Sequence, residues 1–291
     1  MKFFSYIIFR AFSLKIRFVP FAILYISSDV LRFVLKNVFC YRNGVIKKNI
    51  AFCFPDLSPD QVKSIANSFY VNFVDIVLES IKGFSYDPKK MISRYRLTNP
   101  EILDPYFENQ QSVIILSQHY NNWEWGSICL GLQTQHHIVG VIKRISNKYI
   151  HNFVENARSR NNVSVVNADH AAKYIRYHKP NKPEGIVLIA DQYPYNKRHR
   201  TSAPFFYHEI DFHSGTGLIA SWTDYPIFSI DIHKVKRGYY ELELVKLVDK
   251  ASDSSPQEIT SLYASHLESL IRKNPPSWLW SHKRFKDDIE Y

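Results

Sequence analysis

From Arg94 onward the chain alternates short apolar runs with stretches of helical periodicity, and that alternation leaves few folds open. The runs predict strands at 112–117, 137–143, 163–167, 186–190, 226–233 and 239–247. Helical patterns fall between them, near 123–132, 147–158, 171–178 and 215–223, with a last one near 256–272. Buried strands interleaved with helices specify an α/β architecture in which helices flank a central sheet. The last two strands, joined by Lys236-Arg237-Gly238, predict an antiparallel hairpin at the sheet edge, so the sheet is mixed.

Upstream, Ser58-Pro59-Asp60-Gln61 is a helix start: a Ser cap, Pro at the first helical position and Gln three residues after the cap. Apolar residues at Val62, Ile65, Phe69, Phe73, Ile76, Val77 and Ile81 carry that helix to about Lys82. With no repeat or Gly/Ser linker, the expected organisation is an N-terminal membrane-associated helical segment, 1–57, followed by one α/β domain, 58–291. An apolar share of 45% with 22% charged residues excludes a disordered chain.

The formal charge is +10, from 37 basic and 27 acidic residues. Such an excess attracts anionic surfaces of any kind, so its distribution matters more than its size. Within 1–50 nine residues are basic (Lys2, Arg10, Lys15, Arg17, Arg32, Lys36, Arg42, Lys47, Lys48) and one is acidic, Asp29, in the most apolar part of the chain. A basic and greasy segment points to a membrane surface before nucleic acid. The stretch 18–35 approaches the length of a span, but Asp29 and Arg32 interrupt it, and its unbroken part, 18–26, is too short to cross. No small-residue cleavage site follows it. The expectation is a helix dipping into the cytoplasmic leaflet; a helix packed on the protein's own core is the competing reading, and a true span ranks third. Cys40, Cys53 and Cys129 lie far apart in apolar settings without CxxC spacing, which predicts buried reduced thiols and neither a disulfide framework nor a metal knuckle.

The segment 113–126, V-I-I-L-S-Q-H-Y-N-N-W-E-W-G, holds the candidate chemistry. His119 follows the end of a strand, where active sites of α/β sheets collect. Glu124 lies five residues on, an offset of about 140° in a regular helix. The two can therefore meet only if His119 sits in the strand-to-helix turn and Glu124 in the first helical turn. A His can take a proton from an alcohol near neutral pH, and a neighbouring carboxylate fixes its tautomer. A surface His capping a helix beside an ordinary acid fits the same spacing.

His119-x4-Glu124 is similar to the His-x4-acidic motif of the lysophospholipid acyltransferase superfamily. The surrounding chain resembles its branch of lipid A late acyltransferases, the lauroyl/myristoyl acyltransferases. Further likeness lies at Tyr41-Arg42 through Phe54-Pro55, Asn147-Lys148-Tyr149, Arg158-x-Arg160, Ala190-Asp191-Gln192, 236–240 and the tail Trp278-Leu279-Trp280-Ser281-His282-Lys283-Arg284. The resemblance implies a glycerolipid acyltransferase-like fold and transfer of an acyl group from acyl carrier protein to a hydroxyl of a phosphorylated glycolipid, at the cytoplasmic face of a bacterial inner membrane. His119 would be the general base and Glu124 its partner, with Arg158, Arg160, Asp191 and Asn122 toward the substrate and neither cofactor nor metal. Guanidinium groups suit phosphates and developing oxyanions, although Arg158 and Arg160 also read as a solvated helix end, and Asp191 as a loop cap.

Other features stay open at this level. The basic stretch 193–200 departs from the family and could face phosphates, an acidic carrier protein or solvent. In 212–217 a helix start could bind an anion or merely be capped by Ser214. The tail tryptophans read as sheet-edge packing or as a membrane belt. Acyl transfer to another lipid acceptor (a glycerolipid, an aminolipid or a pigment polyol) and non-catalytic binding of anionic lipid are the alternatives. A hydrolase is disfavoured, since Ser117 lacks a G-x-S-x-G frame.

Overall fold

A computed structural model describes residues 2–291, the side chains of Ser127, Lys197, Thr216, Ala220 and Ser221 apart. Four helices come first: α1 (Lys2–Ile16), α2 (Phe21–Phe33), α3 (Asn43–Cys53) and the long α4 (Pro59–Gly83). α4 opens on the expected box, with Ser58 Oγ accepting from the Gln61 backbone and the Gln61 side chain accepting from the Ser58 backbone. A short α5 (Pro88–Met91), β1 (Tyr95–Leu97) and α6 (Asp104–Glu108) lead into the alternating region. There follow β2 (Val113–Ser117), α7 (Trp123–Cys129), β3 (His137–Ile142), α8 (Lys148–Arg158), β4 (Val163–Asn167), α9 (Ala168–Tyr177) and β5 (Glu184–Ile189). The chain ends with β6 (Arg200–Phe205), β7 (His208–His213), α10 (Gly215–Thr223), β8 (Ile227–Lys236), β9 (Tyr239–Val248) and α11 (Pro256–Lys273).

Seven strands form one sheet in the order β1-β9-β8-β2-β5-β3-β4. Every neighbouring pair is parallel except β8 with β9, so the sheet is mixed as the pattern predicts. β2 is buried at all five positions, as a central strand covered on both faces must be. One core packs α4, α11 and the C-terminal tail against one face through residues such as Phe69, Leu116, Ile186, Tyr263 and Trp280. The other face holds Ile115, Trp125, Ile128, Phe228 and Leu242.

Three expectations change. The β8–β9 hairpin is not the sheet edge, because β1 pairs with β9 in parallel through Tyr95–Tyr240, Arg96–Glu241 and Leu97–Leu242. The basic stretch ends in regular structure: Arg200 opens β6, which pairs with β7 in a separate antiparallel ribbon over 200–213. Cys53 and Cys129 are buried free thiols, but Cys40 is exposed, since it lies in the turn between α2 and α3 at φ 46°.

The N-terminal segment is tied to α4 by polar contacts. Ser28 Oγ donates to the buried Asp75 at 2.6 Å, and Arg237 donates to both Asp29 and Asp75. Lys82 Nζ reaches the carbonyls of Ile16, Arg17 and Val19 at 2.8–3.0 Å, satisfying groups left open where α1 ends. α2 therefore buries Ser28 and turns Tyr25 toward Glu79 and Asp29 toward Arg237, while Ile23, Ile26, Val30 and Phe33 stand exposed. Among the described residues, no helix is long and apolar enough to cross a membrane.

Candidate active site

β2 ends at Ser117, and five residues then turn the chain into α7. Each is fixed separately. Gln118 is buried and donates to the Ile230 carbonyl at 2.7 Å. The Tyr120 hydroxyl donates to the Leu270 carbonyl at 3.1 Å. Asn121 takes a left-handed conformation, φ 49°, and donates to the Ile232 carbonyl at 2.6 Å. Asn tolerates that region better than most residues, which is why a tight turn fits there. Asn122 caps α7, its Oδ1 accepting from the Trp125 backbone at 3.1 Å. His119 thus lies in the turn and Glu124 in the first helical turn, the arrangement that their spacing requires.

The carboxylate in contact with the imidazole is Asp191, which follows β5. Its Oδ1 lies 2.7 Å from His119 Nδ1, and its Oδ2 accepts from the His119 backbone at 2.9 Å. Trp278 Nε1 donates to the same Oδ2 at 2.8 Å. Burial works to raise the Asp191 pKa, but its interaction with His119 and the three hydrogen bonds outweigh burial, and the net effect is to lower it. With Asp191 anionic, Nδ1 carries the proton and Nε2 presents the lone pair. The Gln192 amide nitrogen lies 3.1 Å from Nε2, so a neutral donor already engages the basic nitrogen. Trp123 stands edge-on to the ring at 5.0 Å between centroids.

Glu124 is held by Arg158, whose Nη2 lies 2.6 and 2.7 Å from the two carboxylate oxygens. Both side chains are 17% exposed, and Arg158 Nε is buried without a hydrogen-bond partner. The structure thus joins His119 to Asp191 and Glu124 to Arg158, where the sequence reading coupled His119 to Glu124. Arg160 points its guanidinium at backbone: the carbonyls of Ala157, Gly83 and Phe84 accept from it. Asn122 meets the Glu79 carboxylate at 2.7 Å.

The tail closes the site from the other side. Leu279 N donates to the His119 carbonyl at 3.0 Å. Trp278 and Trp280 are buried and packed edge to face, but in the core on one face of the sheet rather than at the sheet edge that the sequence reading gave them. Arg284 is not solvated: it is 2% exposed, lies over Phe212 at 4.6 Å, and donates to the Asp211 carbonyl at 2.7 Å. Burial, opposed by the Asp191 charge and reinforced by the nearby cations, pushes the His282 pKa down to about 4, so that ring is neutral beside the site. A small apolar crevice of about 10 Å³ lies between α4 and this tail, lined by Phe69, Phe73, Ile76, Trp123, Trp278 and Leu279.

The basic loop is partly consumed. Arg200 pairs with Asp211 and Asp287, whereas Arg198 is exposed; the side chain of Lys197 lies outside the described residues. In 212–217, Phe212 and His213 belong to β7, Gly215 opens α10, and the Thr216 side chain again lies outside them.

Sequence reasoning gave no role to Gln192 or Glu79, and read Trp278 as packing or a membrane belt rather than as a donor to Asp191. Gln192 was visible as the neighbour of Asp191. Glu79 had a signal too, because Asp75, Glu79 and Lys82 share one face of a helix whose adjoining face is built of Phe and Ile.

A search of the curated proteins gives no significant match. A family profile described as bacterial lipid A biosynthesis acyltransferase matches residues 2–287, nearly the whole chain and all the elements that build this site. The chain belongs to the bacterial lipid A biosynthesis acyltransferase family.

Proposed function

We propose that the protein transfers a fatty acyl group from an acyl-carrier-protein thioester to a hydroxyl of a phosphorylated glycolipid, a lipid A precursor, with His119 as general base. The observation that carries this reading is the short contact of His119 Nδ1 with the buried, anionic Asp191, which leaves Nε2 as the base. The acceptor oxygen attacks the thioester carbonyl carbon while its proton passes to Nε2. The carbon–sulfur bond then breaks, and the departing thiolate takes the proton back from the imidazolium. The acceptor hydroxyl would replace Gln192 at the ring. Glu124 and Arg158, an ion pair on the first turn of α7 and the end of α8, would orient the substrate, Arg158 offering its unused Nε to an oxygen of the acceptor or the thioester.

The chemistry would take place at the cytoplasmic face of a membrane. Among the described residues, fourteen of the 21 exposed large apolar side chains lie between Phe3 and Phe39, including Phe4, Phe18, Ile26, Phe33 and Phe39. A patch of that kind, flanked by Lys15, Arg17 and Lys36, matches an anionic lipid surface.

The test incubates the purified protein with acyl-carrier thioester and candidate lipid acceptors, with mass spectrometry as readout. One acceptor should gain one acyl unit. His119→Ala should lower the rate on the order of 10²- to 10⁴-fold. A variant as active as the parent would reject the mechanism.

A further inference from the structure

Glu79 is fully enclosed on the inward side of α4, and its carboxyl oxygens meet three side-chain donors. Oε1 accepts from the Tyr25 hydroxyl of α2 at 2.8 Å. Oε2 accepts from Asn122 Nδ2 at 2.7 Å and from the Tyr240 hydroxyl of β9 at 2.8 Å. The backbone carbonyl of Glu79 accepts from Trp125 Nε1 of α7 at 2.9 Å. One residue therefore joins four elements, and two of its four contacts are with the start of α7. Asn122 is itself gripped from behind, since its carbonyl accepts from the Tyr95 hydroxyl at 2.9 Å.

A second feature shows that the Tyr25 contact is built in. Gly238, at φ 75°, closes the β8–β9 hairpin directly over Tyr25, and a Cβ there would fall on the tyrosine oxygen. A backbone cut to glycine lets that hydroxyl reach Glu79. A buried carboxylate adds little stability that an apolar side chain of the same volume would not add. Holding several donors in one geometry is what it can do and an apolar side chain cannot.

We propose that Glu79 is a positioning residue for the catalytic turn, fixing Asn122 and thereby the setting of His119 and Glu124, and that Tyr25 makes α2 part of the same device. The proposal rests on the reading of His119 as general base. Its consequence is a mechanical link: the helix that exposes Ile23, Ile26, Val30 and Phe33 is held by one hydroxyl to the residue that sets the turn.

Three variants of the full chain in detergent micelles test it. In Glu79→Gln the amide oxygen still accepts from Asn122 and Tyr240 while the amide nitrogen donates to Tyr25, so kcat should stay near the parent's. Glu79→Met keeps the length and removes the acceptors; kcat should fall on the order of 10²-fold with KM unchanged, because the reacting groups are displaced and not lost. Tyr25→Phe should lower kcat less and leave binding to anionic vesicles intact. The proton between His119 and Asp191, followed by 1H–15N NMR without substrate, should shift in the Met and Phe variants and stay in place in the Gln variant. Parent-like kcat in Glu79→Met, a loss accounted for by its unfolded fraction, or equal losses in the Gln and Met variants would each overturn the proposal. Should Glu79→Met fail to fold, Tyr25→Phe decides, and an unchanged kcat and proton signal would overturn it. His119→Ala, assayed alongside, reports separately on the general-base reading.

Discussion

Asp191 and Glu79 are both fully enclosed carboxyl groups, and their surroundings push them in opposite directions. Asp191 meets an imidazole and an indole N–H, and its pKa falls below the ordinary 3.8 despite burial. Its stabilising contribution is present above that value and is lost as pH drops through the lower folded pKa. For Glu79, burial dominates over the hydrogen bonds of Tyr25, Tyr240 and Asn122, and the pKa rises from 4.5 to about 7. That raised value means the folded state holds the proton more tightly, so stability from this group is full below 4.5 and is lost as pH rises through about 7. The loss is on the order of 3 kcal/mol, from about 1.4 kcal/mol per pKa unit. Urea unfolding at mildly acidic and mildly alkaline pH should show this decline in the parent and a smaller one in Glu79→Gln. Asp191→Asn should leave the fold intact and lower kcat roughly 10²-fold or more, since an amide no longer stabilises the imidazolium. Steady-state kinetics with thermal melts checks it.

At the scale of elements, the joint between the N-terminal helices and the α/β sheet is unusual in its polarity. Asp75 is wholly buried and takes bonds from Ser28 and Arg237, with Lys234 3.7 Å away. Arg237→Met should destabilise the protein by about 2–3 kcal/mol, below the usual figure for a fully buried pair, because Arg237 is one-third exposed and Lys234 remains close. Chemical denaturation measures this, and a loss under 0.5 kcal/mol, roughly the spread of neutral surface changes, would show that the joint holds without the pair. Asp29 and Arg32 interrupted the apolar run in the sequence. Asp29 now has a reason: it faces Arg237 and leaves the apolar side of α2 to the outside. Truncation of 1–36 would therefore do more than remove the proposed docking segment, since it would strip donors from Asp75 and Glu79.

Across the whole molecule, the exposed large apolar side chains among the described residues are concentrated in the N-terminal segment up to Phe39. In water, an apolar patch with basic flanks is a liability; against anionic lipid it is a docking face. Ile26→Asp combined with Phe33→Asp alters two exposed side chains, 65% and 62% accessible, and should leave the melting temperature nearly unchanged. The double variant should lose most of its binding to anionic vesicles in a sedimentation assay. Undiminished binding would place the docking surface elsewhere. Added salt should weaken binding of the parent only in part, because salt screens charge and does not remove apolar burial.

Local chemistry was enough to fix much of this protein from its residues. Strand and helix periods located β2 to β5, β8, β9 and the helices between them, and the Ser58 cap located α4. The five-residue offset required His119 in a turn and Glu124 on a helix. β1, three residues long, and the β6–β7 ribbon, with Arg, Pro and His among its residues, carry too little periodic signal to be read from the chain. Partnership was decided only by tertiary structure. Glu124 is nearer to His119 in sequence, but parallel pairing of β2 with β5 brings Asp191 from 72 residues away to the imidazole, and α8 brings Arg158 to Glu124. Sequence sets what each segment can become, because backbone preference and side-chain period act over a few residues. Which charges meet is settled by strand order and helix packing, where separation along the chain counts for nothing.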